Sequence, residues 1–242
     1  MSEPKAPKPS VASQAKMLSA FVRAFGKTLL SGKSTHQRTV AQLQDTPEGT
    51  SRLWARNAKL MLEEGLVLLL DELQAELRMR DARMPLIPEN ADSYSFNIQL
   101  GRIAMDATSI GNLMNRYAFP ARGPLYNLSV TLPESFVVLE GSLRVNRLLT
   151  IRLYLRCRVG VAIGGQLELV PEEIKSGALP LDRIFNLLGV ELGRFMPEGA
   201  TAGVRFEDGR ILVDPMGLLP APTATGRLVH AEVRGDHLVM SY

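Results

Sequence analysis

The stretch GVRFEDGRILVDPMGLLP, residues 203–220, alternates apolar and polar side chains around Asp208-Gly209 in its first half and becomes almost wholly apolar in its second half. An Asp-Gly pair between two alternating runs is typical of a β-hairpin with a two-residue turn. In that register Phe206 faces Ile211 on an apolar face, and Glu207 and Arg210 lie on the other face beside Arg205 and Leu212. We therefore expect an antiparallel sheet with one buried face and one face that tolerates water.

Other segments of the second half repeat this pattern. HAEVRGDHLVMSY predicts a hairpin around Gly235-Asp236, and GVAIGGQLELV predicts another around Gly164-Gly165. The run LLTIRLYLRCRV alternates leucine and isoleucine with polar residues, as a long strand with one buried face does. A short helix is expected near Ser109–Ala118, because Thr108 or Ser109 can cap it. Antiparallel hairpins should therefore dominate this half of the chain.

Between the hairpins, LPLDRIFNLLGVELGRFMP at residues 179–197 predicts a helix that is apolar on most of its sides. Such a helix has to be enclosed by other elements. We therefore predict an α+β fold, in which a long curved antiparallel sheet of hairpins wraps around an apolar helix. A helical extension is expected on the N-terminal side.

The chain divides into three predicted parts: a basic amphipathic arm and linker at residues 1–50, a helical segment at 51–90, and a β-rich domain at 91–242. The helical prediction comes from strong helix formers between Ser51 and Arg83. It is supported by a leucine stripe with spacings of four, three and four, made by Leu66, Leu70, Leu73 and Leu77. This stripe suits either packing on the β domain or a coiled-coil seam.

The N-terminal arm has a basic edge and an aromatic edge when it is drawn as a helix. Lys16, Arg23 and Lys27 lie opposite Phe21 and Phe25. One interpretation is a helix on an anionic membrane surface, where basic and apolar residues act together. A second is a helix that docks on its own domain or on a partner protein, and a third is an organellar targeting peptide.

Composition narrows the class of protein. The 242 residues are 45% hydrophobic and 22% charged, which suits a soluble chain with a core. No run approaches the ~18 apolar residues of a membrane-spanning helix, and the start lacks the pattern of a secretory signal. Residues 1–38 carry seven basic residues and one acid, so the basic excess does not indicate a nucleic-acid-binding face on the β domain. We expect a cytoplasmic protein, free or peripheral on the inner membrane surface.

Catalytic and metal-binding motifs do not occur in the sequence. GxSxG, HExxH, a P-loop, paired CxxC and EF-hand spacing are all missing. The single cysteine, Cys157, sits in a strand pattern and is expected to be a buried, unreactive thiol. His230 and His237 fall on the polar face of the last predicted hairpin and lack a clearly placed acidic or cysteine partner. The sequence therefore predicts a non-enzyme without a cofactor or a metal.

Two motifs carry a family resemblance: G-x-LPL at Gly177–Leu181, and DGR followed by apolar residues and DP at Asp208–Pro215. With the order of the elements around them, residues 93–242 resemble the LmeA-like phospholipid-binding family of bacteria. That family is related to the tubular lipid-binding (TULIP) superfamily. The resemblance implies a curved sheet rolled around a helix, an apolar groove for acyl chains, and no catalytic residues.

Two functions follow as expectations. The first is a lipid-binding module that holds a lipid or another long apolar ligand between the sheet and the apolar helix. The expected lining residues are Phe96, Ile98, Leu100, Leu153, Leu155, Ile184, Phe185, Leu188, Leu192, Phe206 and Ile211. The second is a non-catalytic interaction or scaffold protein whose β domain is closed. An unfilled apolar cavity favours the first function, and a packed interior favours the second.

Overall fold

The computed structural model describes residues 40–45, 51–79, 94–119, 125–144, 150–176, 179–180, 203–207, 209–220 and 222–242. Within these ranges, fourteen strands form two sheets of seven. Sheet I contains β1 (Val40–Asp45), β2 (Ser51–Glu63), β3 (Leu66–Met79), β4 (Tyr94–Asp106), β12 (Thr223–Gly226), β13 (His230–Arg234) and β14 (His237–Ser241). Sheet II contains β5 (Leu125–Thr131), β6 (Phe136–Arg144), β7 (Thr150–Val161), β8 (Leu167–Ser176), β9 (Leu179–Pro180), β10 (Val204–Glu207) and β11 (Arg210–Val213).

Strand β4 is the centre of sheet I. The sheet runs β1-β2-β3-β4-β14-β13, and β3 pairs with β4 along most of its length. The other edge of β4 is divided: β14 pairs antiparallel with the half near Met105, and β12 pairs parallel with the half near Phe96. Sheet II runs β10-β11-β8-β7-β6-β5, and β9 adds to β8.

The predicted hairpins are confirmed. Phe206 pairs with Ile211 and Glu207 with Arg210, and Gly209 has the positive φ, 72°, that this turn position favours. The last hairpin turns at Gly235, which also has a positive φ. The β7–β8 connection crosses the Gly-Gly pair, as the sequence indicates. The antiparallel sheet of hairpins in the predicted fold class is therefore present.

The helical prediction for residues 51–90 is wrong where the structure describes that segment. Residues 51–79 form the hairpin β2–β3, which turns at Glu64-Gly65, and Gly65 has a φ of 73°. Strand β3 is hydrogen-bonded to β4, so these residues belong to the same sheet as the following part of the chain. Pairing on both sides of β3 overrides the helix propensity of its residues.

A β-bulge in β3 explains the misleading leucine spacing. Leu70 pairs with Ile103 and Glu72 with Arg102, so Asp71 is an extra residue on β3. The buried positions are therefore even-numbered before the bulge and odd-numbered after it, and they are Leu66, Leu68, Leu70, Leu73, Ala75 and Leu77. A strand with this bulge gives the same leucine spacing as a helix.

A short helix follows β4. The helix α1 (Ala107–Leu113) continues into a π-helical turn at Met114–Ala118. The predicted helix is present, but its cap is Asp106 rather than Thr108 or Ser109. Asp106 Oδ1 accepts a 2.7 Å hydrogen bond from the Ser109 backbone N–H, which leaves the Ser109 hydroxyl free to accept a bond from Val67 N at 3.1 Å.

The core lies between the two sheets. Leu143 and Leu155 of sheet II and Ile103 and Met240 of sheet I are almost fully buried in one hydrophobic cluster. Burial of each such side chain stabilises the fold by roughly 1.5–3 kcal/mol. Of the apolar helix predicted at residues 179–197, residues 179–180 form strand β9 instead, and the rest lies outside the described residues. The N-terminal arm up to residue 39 also lies outside them, whereas residues 40–45, predicted as linker, form β1 and pair with β2.

Candidate functional site

An apolar cavity lies on the inner face of sheet I, between β2, β3 and β4 on one side and the segment that follows β11 on the other. Its volume is about 80 Å³. The lining residues are Leu53, Leu60, Leu62, Leu68, Leu70, Leu73, Ala75, Phe96, Ile98, Ile103, Met216, Leu219, Pro220, Pro222 and Ala224. No side chain in that set is charged or carries a hydrogen-bonding group, so the cavity can bind only an apolar group.

The cavity has an apolar mouth. Its inner wall, around Leu70 and Ile103, is buried. The lining residues that are only partly buried are Leu60, Leu62, Leu219, Pro220, Pro222 and Ala224. Because the rim is apolar as well, an apolar chain could pass into the cavity without crossing a polar ring.

The outer wall is built by one helical turn, α2 (Pro215–Leu218), and the chain after it. Asp214 caps α2 by accepting a 3.1 Å hydrogen bond from Gly217 N, and Pro215 is well suited to the first helical position. Met216 is buried against the cavity, and the backbone becomes extended at Leu219. This wall therefore depends on a single short turn.

The same turn separates two apolar cavities. A second cavity of about 30 Å³ lies between the sheets and is lined by residues such as Met105, Val137 and Met240. Pro215 and Leu218 of α2 border this second cavity, whereas Met216 borders the first. Residues of β4 and of α2 therefore border both cavities.

The structure brings together only part of the predicted lining set. Phe96 and Ile98 line the cavity. Leu153, Leu155 and Ile211 are buried in the core between the sheets and do not line it. The remaining predicted residues lie outside what the structure describes, either as whole residues or, for Phe206, as a side chain: Ile184, Phe185, Leu188, Leu192, Phe206, and Lys16, Phe21, Arg23, Phe25 and Lys27 of the arm.

The prediction for Leu100 is wrong. Its side chain is 48% exposed. Ile98 pairs with Ala75 and Leu100 with Gln74, so Gln99 is an extra residue that breaks the alternation of β4. Leu100 therefore does not share the inward face of Phe96 and Ile98.

Sequence reasoning missed the wall made by β2 and β3, from Leu53 to Ala75. The leucine stripe of β3 was interpreted as one face of a helix. The signal that could have identified a hairpin is Gly65, which follows Glu63-Glu64 in the middle of the apolar pattern.

Titratable groups cluster away from the cavity, where the β2–β3 turn meets the π-helical turn. Tyr117 Oη donates a 2.5 Å hydrogen bond to Glu63 Oε1, and Arg116 Nη1 contacts Glu63 Oε2 at 2.9 Å. The bond from Tyr117, and then Arg116, holds the pKa of Glu63 below its ordinary value, although burial opposes this. Burial, followed by the bond to Glu63, raises the pKa of Tyr117. The cluster ties two elements together.

Cys157 and the two histidines of the last hairpin lie apart from this cluster. The expectation that the histidines lack an acidic partner is wrong, because His230 lies 3.6 Å from Glu232 and His237 contacts its neighbour Asp236. Burial raises the pKa of the Cys157 thiol to about 12. His230 pairs with Ser241 and His237 with Arg234, which places the two histidines at opposite ends of the last hairpin. Among the residues that the structure describes, no group of three histidine, cysteine, aspartate or glutamate side chains is placed to hold a metal ion.

A wider groove of about 370 Å³ lies on the outer face of sheet II. Its lining includes the polar or charged residues Asn127, Ser129, Glu140, Ser142, Arg152, Tyr154 and Lys175. Lys175 forms an ion pair with Glu173 and lies 5.5 Å from the centre of the Tyr154 ring. Such side chains are typical of a sheet face that is exposed to water, and their mixed charges do not indicate a particular class of ligand.

Among the described helices, none has the length and apolarity needed to cross a bilayer. No protein-family model, curated protein or solved structure matches the chain.

Proposed function

We propose that the protein is a non-catalytic lipid-binding protein that holds an apolar chain in the cavity beneath β2, β3 and β4. The observation that carries the proposal is the apolar mouth. Leu60, Leu219 and Pro222 are partly exposed and line one opening, and grouped apolar residues of this kind mark a binding site where scattered ones do not. The sequence resemblance to LmeA-like phospholipid-binding proteins implies the same class of ligand.

The volume of the cavity limits the kind of apolar ligand that it can hold. Its volume of about 80 Å³ is well below the roughly 300–1,000 Å³ of sites for drug-sized molecules. That volume holds only a few methylene groups, so it suits the end of a linear acyl chain better than a system of fused rings. A longer chain would follow β4 toward the second cavity and displace α2, which is only four residues long.

The proposal extends to a peripheral place at the inner membrane surface. Its support is the sequence pattern of the N-terminal arm, which puts Arg23 and Lys27 opposite Phe21 and Phe25 when the arm is drawn as a helix. Basic residues on one side and aromatic residues on the other favour the surface of an anionic bilayer.

The test uses two buried alanines on neighbouring strands. Ala75 lines the cavity, whereas Ala55 is equally buried and does not. Ala75→Leu should fill the cavity, keep the thermal transition and lower the uptake of a fluorescent fatty acid. Ala55→Leu adds the same atoms to a filled region and should lower the Tm. Wild-type uptake in a folded Ala75→Leu variant, or no uptake by the unmodified protein, would refute lipid binding at this cavity.

A closed scaffold that binds other proteins is the second candidate. Its support is the second cavity, whose volume of about 30 Å³ is that of a well-packed interior. Extraction of the purified protein with organic solvent, followed by mass spectrometry, separates the two functions. Co-purified lipid favours the first, and a lipid-free protein that also takes up no fatty acid favours the second.

A further inference from the structure

The turn between β7 and β8 presents an apolar residue to solvent. Ile163 is 98% exposed at the end of the hairpin, next to Gly164. Its burial by a partner would be stabilising, and exposed apolar residues indicate a binding surface where they are grouped.

The turn is held in place. Gly165 N donates to Ala162 O at 2.8 Å, and Ala162 N donates to Gln166 O at 2.9 Å. The connection that precedes β13 braces it, because Leu228 N donates to Gly165 O at 3.1 Å and the Leu228 side chain is almost fully buried. Ile163 is therefore carried on an anchored turn.

A second exposed apolar residue lies beside the turn. Val229 is 65% exposed and directly follows Leu228. Val229 has the sequence parity of the buried residues Ala231 and Val233, but it lies outside the strand, because β13 begins only at His230. The hairpin turn and the 227–229 segment together form what we name the tip, residues 162–166 and 227–229.

Two arginines form hydrogen bonds at the tip: Arg227, which belongs to it, and Arg205, which lies on β10. Arg227 Nη2 donates to Ile163 O at 3.3 Å, and Arg205 Nη2 donates to Gln166 Oε1 at 2.7 Å. Arg205 also lies 3.6 Å from Glu207. The tip itself contains no acidic residue. Two exposed aliphatic side chains are thus flanked by two cations.

We propose that the tip is a docking site for an anionic phospholipid bilayer, in which Ile163 and Val229 enter the interface and Arg205 and Arg227 contact lipid phosphates. Amphipathic surfaces of this composition bind membranes by apolar burial together with attraction to anionic lipids. A protein partner fits less well, because stable protein interfaces bury roughly 1,200–2,000 Å² and the tip offers two aliphatic side chains.

The tip is close to the cavity along the chain. Ala224 lines the cavity mouth and Arg227 lies three residues further on, about 10 Å away if the chain is extended. This inference rests on the proposed function, because docking at the tip would serve to bring the mouth of the cavity near a source of lipid. The contacts of the tip with a bilayer can be tested without any ligand in the cavity.

The experiment places an environment-sensitive fluorophore at the tip of the full chain. The only native cysteine, Cys157, is buried, so Ile163→Cys can be labelled selectively with NBD. Met61→Cys is the matched control, because Met61 is also exposed but lies on β2, four strands from β13 in sheet I. With phosphatidylglycerol/phosphatidylcholine vesicles, we expect a blue shift and a several-fold rise in emission at residue 163 and neither at residue 61.

Charge is tested separately. Arg205→Gln and Arg227→Gln should each lower the affinity for these vesicles about fivefold, and added salt should have the same effect. No change at residue 163, or an equal change at residues 163 and 61, would overturn docking by the tip even if the N-terminal arm binds the vesicles. Fatty-acid uptake is measured separately, without vesicles. If the protein takes up no fatty acid, the proposed function is contradicted, but the fluorescence result for the tip is unaffected.

Discussion

The side-chain amide of Asn115 forms hydrogen bonds with both the backbone N–H and the backbone C=O of Leu128. In a regular sheet, these two groups would bond to a neighbouring strand. Asn115 Nδ2 donates to Leu128 O at 2.6 Å, and Leu128 N donates to Asn115 Oδ1 at 2.8 Å. The β5–β6 register shifts between Tyr126 and Ser129, so the ladder with β6 is interrupted at Leu128. The π-helical turn supplies the missing partner, which fixes it to sheet II.

We expect Asn115→Ala to lower the free energy of unfolding by about 2–4 kcal/mol, because it leaves two backbone groups of Leu128 without a partner. Asn112→Ala is the control on the same helix. Asn112 makes one exposed hydrogen bond, to Gly65 O at 2.7 Å, and its loss should cost about 1 kcal/mol or less. Urea denaturation of both variants measures the difference, and equal midpoints would contradict the role of Asn115.

The contact between Tyr117 and Glu63 predicts a pH dependence. The folded-state pKa of Glu63 is lowered from 4.5, chiefly by the Tyr117 hydrogen bond. Its contribution to stability is therefore fully present above pH 4.5 and is lost as the pH falls through the lowered pKa. Tyr117→Phe should lower the free energy of unfolding by about 1 kcal/mol at neutral pH. In this variant the free energy of unfolding should also fall less steeply as the pH is lowered.

Denaturation midpoints across the acid range measure the effect. Glu63→Gln should likewise flatten the acid side of the profile. Glu64→Gln keeps the backbone carbonyl that Arg116 Nη2 contacts at 2.9 Å, so it should retain the wild-type profile. An unchanged acid slope in Tyr117→Phe would exclude this contact as the source.

Gly165 should be harder to replace than Gly209, although both have a positive φ. Its φ is 76°, and a Cβ at this position would lie 2.5 Å from Arg227 Cγ and 3.3 Å from Leu228 N. Gly209 has a similar φ of 72°, but a Cβ there would meet nothing within 4 Å. Gly209→Ala should cost about 1–2 kcal/mol from the backbone conformation alone. Gly165→Ala should cost about 2–4 kcal/mol, because the overlap adds to it.

Thermal denaturation of the two alanine variants makes this comparison directly. A similar loss of stability in both would show that the contact with the 227–228 segment does not brace the turn.

Cys157 should be unreactive in the folded protein. Its side chain is fully buried, and burial raises the thiol pKa to about 12. Because the thiolate is the reactive form, we expect no reaction with a thiol reagent such as DTNB at neutral pH, and full reaction once urea unfolds the chain. Rapid modification of the native protein would show that the β7 region opens readily.

The hairpins could be predicted from the sequence because each turn glycine sets a local register. Glu207 lies opposite Arg210, and Val233 opposite Leu238, as the alternation indicates. These pairings depend only on neighbouring residues and on a period of two. The apolar character of the candidate site was predictable for the same reason, at Phe96 and Ile98.

The rest of the site could not be predicted, because two bulges shift the alternation of buried and exposed residues by one position. Asp71 makes the buried residues of β3 imitate a helical stripe, and Gln99 turns Leu100 toward solvent. A bulge is stabilised by the neighbouring strand, which sequence periodicity does not contain. The β2–β3 wall of the cavity was therefore assigned to a helix, although its residues are buried beside Ile103.

The divided edge of β4 has a consequence for the order in which the protein folds on the ribosome. All strands of sheet II come from residues 125–213, whereas sheet I joins residues 40–106 to residues 223–241. Pairs such as Met105 with Leu238 close long loops, and contacts of this kind form slowly. The nascent chain therefore presents the unpaired backbone edge and the apolar face of β4 throughout the synthesis of sheet II, and a chaperone that shields them should raise the yield of folded protein.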